Sequence, residues 1–218
     1  MKNLKQFILL FTLFTFIGFN SVGQVIKRSD ARKNLKSASK EAKGYEKEGY
    51  YVIPGSLPMV KQLEKSYARA MEEDENGYPK YIVTAAVVVA ETQATAKIAA
   101  EEVAKLSIAG TMQSTIAAII ETQLANQQFN TQEAASLQKT VAASKNIIAQ
   151  KLGRLIVLTE FYNDMGKKSK SIEITLRVGY SEEMARKVAL DVIKEELGEE
   201  ADALSDQLDS LLDLDIDN

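Results

Sequence analysis

The most restrictive feature of this sequence is that it contains neither cysteine nor histidine. Without cysteine the chain forms no disulfide bonds, so its fold must be stabilised by packing. Apolar residues make up 45% and charged residues 26% of the 218 residues, as in an ordinary globular protein. This length is sufficient to bury a core, and it suits one domain or one domain with helical appendages.

The absence of cysteine and histidine also excludes several classes of catalytic and metal-binding sites. Histidine is the side chain whose ordinary pKa suits proton transfer near neutral pH. Its absence excludes Ser-His-Asp and Cys-His nucleophilic systems, and the absence of both residue types excludes ordinary zinc sites. Carboxylate, Ser/Lys and tyrosine chemistry and oxygen-ligated calcium remain open. No two glycines have the Gly-x-Gly spacing of a phosphate-binding loop. We therefore expect no cofactor.

The N-terminal segment predicts export. Lys2 and Lys5 precede a largely apolar run at residues 7–19, and the small residues Ser21 and Gly23 follow it. A basic N-terminal region, a short apolar stretch and small residues at a cleavage site are typical of a secretory signal peptide. The run is shorter than the about 20 residues of a membrane-spanning helix, so we expect no permanent membrane span. Cleavage near Gly23 would leave a periplasmic or secreted product.

Residue patterns beyond the leader predict an α+β fold, with a mostly antiparallel sheet packed by helices. Residues 81–89 are largely β-branched and apolar, so we expect a strand covered on both faces near the middle of the sheet. Residues 155–162 and 171–180 are expected to form an antiparallel hairpin with one solvated face. The second run places Ile172, Ile174, Leu176 and Val178 inward, and Glu173, Thr175 and Arg177 outward.

Helical spacing accounts for most of the remaining chain. We expect a weakly packed surface helix within residues 25–48, an alanine-rich helix at residues 90–106 and a helix at residues 131–152 capped by Asn130. Ser181 is expected to cap a last helix. Its predicted buried side consists of Met184, Val188, Ile193 and Leu197.

Residues 107–124 fit two patterns. Isoleucine and methionine recur every four residues from Ile108 to Ile120, as in a helix, but the same residues also lie on one side of a two-residue alternation. Gly110 and the serine and threonine content weaken a helix. The alternatives remain open, and we lean slightly towards a strand.

These elements divide the chain into four segments with helical arms at both ends. They are a signal peptide at residues 1–23, an N-terminal helical arm at residues 24–49, an α+β core domain at residues 50–180, and C-terminal helices with an acidic tail at residues 181–218. The prolines Pro54, Pro58 and Pro79 all fall near the start of the core domain, where they punctuate the chain.

Catalytic motifs are weak. Ser37–Lys40 and Ser136–Lys139 have the Ser-x-x-Lys spacing of acyl-serine enzymes, but the companion Ser-Asp-Asn and Lys-Thr-Gly motifs are missing. The acidic run at residues 72–75 is expected to splay its charges into solvent rather than face them across a sugar. The acidic tail at residues 213–217 has the spacing of half a calcium loop, without its glycine and distal glutamate. We therefore predict no catalytic and no metal-binding residue.

The candidate binding surface is a group of tyrosines near the glycine- and proline-containing segment. Aromatic rings with hydroxyl groups suit a sugar or peptide platform, although such residues more often seal the edge of a core. The residues are Tyr45, Tyr50, Tyr51 and Tyr78.

The order of the predicted elements resembles that of a known protein family. A strand at residues 81–89 is followed by alanines at 94, 96, 99, 100 and 104, then Leu106 and Ala109-Gly110. This pattern resembles bacterial envelope lipoproteins of the LPP-twenty type over residues 78–180. Residues 48–58 are similar to exported proteins of unknown function from Gram-negative bacteria. The resemblance implies an envelope location and supplies no catalytic residues, and the chain lacks the family's lipidation cysteine.

We therefore expect a non-enzymatic exported cell-envelope protein that acts through protein–protein contacts. Its expected partner is an envelope protein or a second copy, because amphipathic terminal helices are able to dock on either. The formal charge of −3 disfavours binding to nucleic acid. The alternatives are an exported hydrolase that uses carboxylate or Ser/Lys groups, and a glycan- or peptide-binding module at the tyrosines.

Overall fold

The computed structural model describes residues 31–126, 131–166 and 170–198. The signal peptide, the Asn130 cap and the acidic tail predicted from the sequence lie outside these residues. Within them the elements are α1 (Ala31–Lys47), α2 (Met59–Ala70), β1 (Tyr81–Ala90), α3 (Gln93–Ala125), α4 (Thr131–Lys151), β2 (Ile156–Asp164), β3 (Ile172–Ser181) and α5 (Glu182–Leu197).

The three strands form one antiparallel sheet in the order β1-β3-β2, which confirms the α+β class. The predicted hairpin is β2–β3, and β1 pairs with the other side of β3. Tyr81 lies opposite Ser181 at one end of the sheet, and Ala90 lies opposite Ile172 at the other. The long connection through α3 and α4 therefore places β3 between the two other strands.

Helices cover both faces of the sheet. α3, α4 and α5 pack on one face, where Leu176 and Val178 of β3 are fully buried. α1 and α2 pack on the other face around Phe161 of β2. Ala38 and Ala42 of α1 are also fully buried, so α1 is packed more closely than its sequence suggested.

The prediction of one solvated face for the β2–β3 hairpin is wrong. Thr175 is buried, and Arg177 is largely covered by the α1–α2 layer. The Arg177 guanidinium donates to Glu41 Oε1 of α1 at 2.9 Å. An alternation of polar and apolar residues normally indicates solvent on the polar side, but here the polar side is satisfied by a partner on a helix.

The prediction that β1 lies in the middle of the sheet is also wrong, because β1 is an edge strand. Ala86 is buried against the α3 layer, whereas Ala85, Val87 and Val89 on the opposite face are exposed. The α1–α2 layer covers β2 and β3 and reaches β1 at its start, where Arg69 lies over the Tyr81 ring at 4.4 Å.

Residues 107–124 belong to α3, so the preference for a strand is wrong. The hydroxyls that weakened the helix interpretation are satisfied inside it. Thr111 donates to the Ser107 carbonyl at 3.1 Å, and Thr122 donates to the Ala118 carbonyl at 2.9 Å. Bonds of this kind to the preceding turn allow threonine to remain in a helix.

Helix α3 packs with a contact stripe that winds around it. Its buried residues recur every four positions from Ala96 to Ile120. Because a helix turns by about 100° per residue, the stripe rotates by about 40° at each repeat. The first half therefore faces the sheet and the later half faces α4, where Gln113 Nε2 donates to the Val141 carbonyl at 2.8 Å.

Helix α3 is also the one helix of the described chain that is long and apolar enough to span a membrane. A core helix passes the same test of length and composition. The last helix, α5, begins at the predicted cap, where Ser181 Oγ accepts the Met184 N–H at 3.3 Å. Met184 was expected on the buried side, but its side chain is 57% exposed.

Candidate functional site

Two of the four predicted binding tyrosines contact each other. The rings of Tyr45 and Tyr50 meet edge to face with centroids 5.2 Å apart, and Tyr45 also packs on Phe161 at 5.1 Å. The Tyr50 hydroxyl donates to the Glu173 carboxylate. Both rings therefore seal the space between α1 and the sheet.

The other two tyrosines lie elsewhere. Tyr51 joins β2 through a single bridge to Tyr162, and its hydroxyl donates to Asp164 Oδ1 at 3.0 Å. Tyr78 lies in the turn before β1, at the Tyr81–Ser181 end of the sheet, whereas Tyr50 and Tyr51 contact the opposite end. The structure does not bring the four tyrosines onto one surface.

The chemistry of these tyrosines is that of hydrogen-bond donors. Burial raises the pKa of Tyr45, Tyr50 and Tyr51 above the ordinary value, and neighbouring carboxylates raise it further. A phenol with a raised pKa stays protonated near neutral pH. These hydroxyls therefore suit a structural role as donors rather than a role as nucleophile or base.

The Ser-x-x-Lys pairs lie on helix surfaces. Ser37 and Lys40 are both exposed on α1. Ser136 and Lys139 line a groove of about 250 Å³ between α4 and α5, beside Glu196. Lys139 is exposed there, whereas a catalytic lysine is activated by desolvation or by a neighbouring cation.

The acidic run at residues 72–75 builds a turn. Glu72 Oε2 accepts a hydrogen bond from Arg69 at 2.9 Å, and Asp74 Oδ1 accepts the backbone N–H groups of Asn76 and Tyr78 at 2.9 Å. Glu73 and Glu75 are exposed. No group of metal-ligating side chains is found in the described parts of the chain.

A larger groove of about 810 Å³ lies between α3 and the start of β2. Its basic residues on α3 are engaged, because Lys97 Nζ lies 2.7 Å from Glu160 and Lys105 Nζ lies 3.2 Å from Glu102. Arg154 and the partly exposed Ile156 complete its rim. The groove has mixed charge and no set of converging free cations.

The feature that the sequence analysis missed is the outer side of β1. Tyr162 exchanges both backbone hydrogen bonds with Tyr51, so its backbone groups point away from β3. Ile174 lies opposite Tyr162 on β2 and opposite Val88 on β1. Because Tyr162 and Ile174 are not hydrogen-bonded to each other, the N–H and C=O groups of Ile174 point towards β1 and bond with Val88. By alternation, Val87 and Val89 direct their N–H and C=O groups outward. We call residues 83–89 the β1 edge.

The β1 edge combines free backbone groups with apolar side chains. Val87 is 58% exposed and Val89 is 50% exposed, and both point away from α3. Strand β1 contains no charged residue and no proline, and its ladder with β3 runs without a bulge. In the described part of the chain, no strand pairs with its outer side.

The opposite side of the sheet, the β2 edge (residues 156–163), is covered. Tyr51 pairs with Tyr162 through bonds of 2.8 and 2.9 Å, and Gln62 Oε1 of α2 accepts the Glu160 N–H at 2.8 Å. A register irregularity between Val157 and Thr159 further disturbs the ladder. These are the devices that blunt an exposed strand.

Comparison of the chain with protein-family models, with curated proteins and with solved structures finds no significant match. The resemblance to envelope lipoproteins therefore remains a prediction from the sequence. Among the described residues, the β1 edge combines exposed apolar side chains with backbone groups that no strand pairs.

Proposed function

We propose that this protein is a non-enzymatic, exported cell-envelope protein that acts by binding another protein surface along the β1 edge. The observation that carries the proposal is a ten-residue edge strand without a charged residue, whose outward side chains Val87 and Val89 are exposed. Outward N–H and C=O groups bind an added strand through main-chain hydrogen bonds, and the side chains between them provide apolar contact.

The other candidate sites support binding over catalysis. Several of their hydroxyl and carboxylate groups are hydrogen-bonded within the fold, as in Tyr50–Glu173, Tyr51–Asp164 and Glu72–Arg69. The signal-peptide pattern in the sequence supports export, and the resemblance to envelope lipoproteins points to the same compartment. The proposal therefore combines a cellular location predicted from the signal-peptide pattern with a contact surface identified in the fold.

Two experiments test this function separately. Cell fractionation with N-terminal sequencing tests export, and we expect a mature chain that begins near Gln24. Material that still begins at Met1 would contradict the proposed compartment.

Site-specific photo-cross-linking in the native host tests the contact surface. A photoreactive residue at Val87 is expected to give a defined protein adduct, mapped to peptides by mass spectrometry. The matched control is Met184, which is equally exposed but lies on α5. Equal labelling from both positions, or no adduct from Val87, would contradict a role for the β1 edge.

A further inference from the structure

We propose that the occupant of the β1 edge is the β1 edge of a second copy of this chain, so that two sheets join into one antiparallel sheet. This inference rests on the proposed role of the edge as a contact surface. It adds the identity of the partner, which follows from three properties of the strand and of the sheet around it.

The first property is backbone complementarity. The backbone N–H and C=O groups of alternate β1 residues, including Ala85, Val87 and Val89, point outward from the sheet. An antiparallel pair of identical strands related by a two-fold axis brings such residues opposite one another, so each outward N–H meets a C=O. The same strand therefore supplies both halves of the ladder.

The second property is neutrality. Like charges placed opposite each other across two strands are destabilising, and natural edges use them to prevent self-pairing. Strand β1 contains no charged residue. The two strands therefore meet without charge repulsion between their own side chains, and their exposed valines become cross-strand neighbours.

The third property is closure. A β1 edge that paired with the β2 edge of the next copy would make a head-to-tail contact that generates a ring or an open filament. The bridge from Tyr51 and the hydrogen bond from the Glu160 N–H to Gln62 occupy the β2 edge. Pairing of β1 with β1 is thus the available mode, and it stops at two copies.

The contact extends beyond the strands. A stable interface buries about 800 Å² per partner, more than a short strand ladder supplies. Helix α3 crosses β1 where Ser107 Oγ lies 2.8 Å from Thr84 Oγ1. Val103 lies one turn before Ser107 on the same side of α3 and is exposed. Val103 therefore adds apolar area beside the β1 edge.

The test is the molar mass of the purified chain in solution, measured by sedimentation equilibrium across a range of concentrations. We expect a dimer for the unchanged protein. Val87→Lys is expected to raise the dissociation constant several-fold, because it places two lysines opposite each other across the paired strands. Met184→Lys introduces the same charge at an equally exposed position and is expected to leave the constant unchanged.

A second variant separates pairing from folding. Val87→Pro removes an N–H that points outward, so the β1–β3 ladder keeps its hydrogen bonds, and proline is tolerated at such edge positions. We expect a monomer with an unchanged circular dichroism spectrum. In the unchanged protein, the amides of Val87 and Val89 are expected to exchange slowly at dimer concentrations and rapidly after dilution, which requires no variant.

The outcomes distinguish this inference from the proposed function. A monomer at all concentrations whose Val87 cross-links to a different protein would overturn self-pairing and leave the edge as a contact surface. A monomer without any adduct from Val87 would overturn both. A dimer that survives Val87→Lys and Val87→Pro, with rapid exchange at Val87, would show that the second copy binds elsewhere and would overturn the inference.

Discussion

The two edges of the sheet differ in whether their outward backbone groups are hydrogen-bonded. At the β2 edge, an extended segment supplies Tyr51 as a partner for Tyr162, and the α2 side chain Gln62 occupies the Glu160 N–H. At the β1 edge, the outward groups of Val87 and Val89 have no partner within the described residues. The described part of the chain therefore covers the β2 edge and leaves the β1 edge open.

This difference is the basis on which we propose the β1 edge as the binding surface. Covering the β2 edge requires the α1–α2 layer, which packs through Phe161, Leu63 and Ala42 and is tied to the sheet by Arg177. The layer ends before the middle of β1. Changes on the covered side should therefore have the largest effects, because its contacts stabilise the layer.

Phe161→Ala is expected to have the largest effect. Phe161 is fully buried between the sheet and α1, so its truncation should lower the free energy of unfolding by about 3–5 kcal/mol. Val87→Ala on the open side should change it by less than about 1 kcal/mol. Urea unfolding measures both, and similar losses would mean that the two sides are packed alike.

Arg177→Met should come next. The change removes the hydrogen bond to Glu41 and leaves that carboxylate partly buried beside the Tyr67 hydroxyl. A hydrogen bond to a charged group contributes about 1.5–3 kcal/mol, and partial solvent access places the loss at about 1–2 kcal/mol. Lys105→Met, which removes a helix-surface pair with Glu102, is the control and should cost less than about 1 kcal/mol. Equal losses in the free energy of unfolding would argue against a stabilising role for the Arg177–Glu41 hydrogen bond.

Gln62→Ala should uncover the β2 edge locally. It leaves the Glu160 N–H without its acceptor, at a cost of about 1–2 kcal/mol. Hydrogen exchange followed residue by residue should show faster exchange at Glu160, while Tyr162, still paired with Tyr51, should remain protected. Unchanged exchange at Glu160 would show that α2 covers this amide without the glutamine.

The test that disturbs the structure least is alkaline titration of the α1–α2 layer. Burial, followed by the Glu41 carboxylate, raises the pKa of Tyr67 from 10.0 to about 12. Because the pKa is higher in the folded chain than in the unfolded chain, this stabilisation is complete below pH 10 and is lost as the pH rises towards about 12. Urea unfolding across this range should show a steeper decline for the unchanged protein than for Tyr67→Phe. Parallel declines would contradict the shift.

Much of the secondary structure follows from the sequence, but the position of β1 does not. Its uncharged, β-branched run is typical of a strand buried on both faces. An edge is defined by which strands pair on either side, and the local pattern of Val87 and Val89 contains no such information. The strand was predicted correctly, whereas its neighbours were set by the long α3–α4 connection.

The same limit explains the other differences. The alternation around Arg177 predicts solvent, but Glu41, far away in sequence, satisfies the guanidinium instead. The spacing from Ile108 to Ile120 fits a helix and a strand equally, and packing on α4 decides between them. Of the candidate surface, the contact of Tyr45 with Tyr50 agrees with their proximity in sequence, and the distant position of Tyr78 depends on the register of β1.

The winding stripe of α3 divides that helix into two halves with different support. Residues near Ala100 are held against the sheet, whereas those around Ile116 and Ile120 are held chiefly by α4. Local unfolding follows the density of such support. We therefore expect the parts of α3 and α4 that lie beyond the sheet to open and reclose locally while the sheet and its β1 edge remain intact.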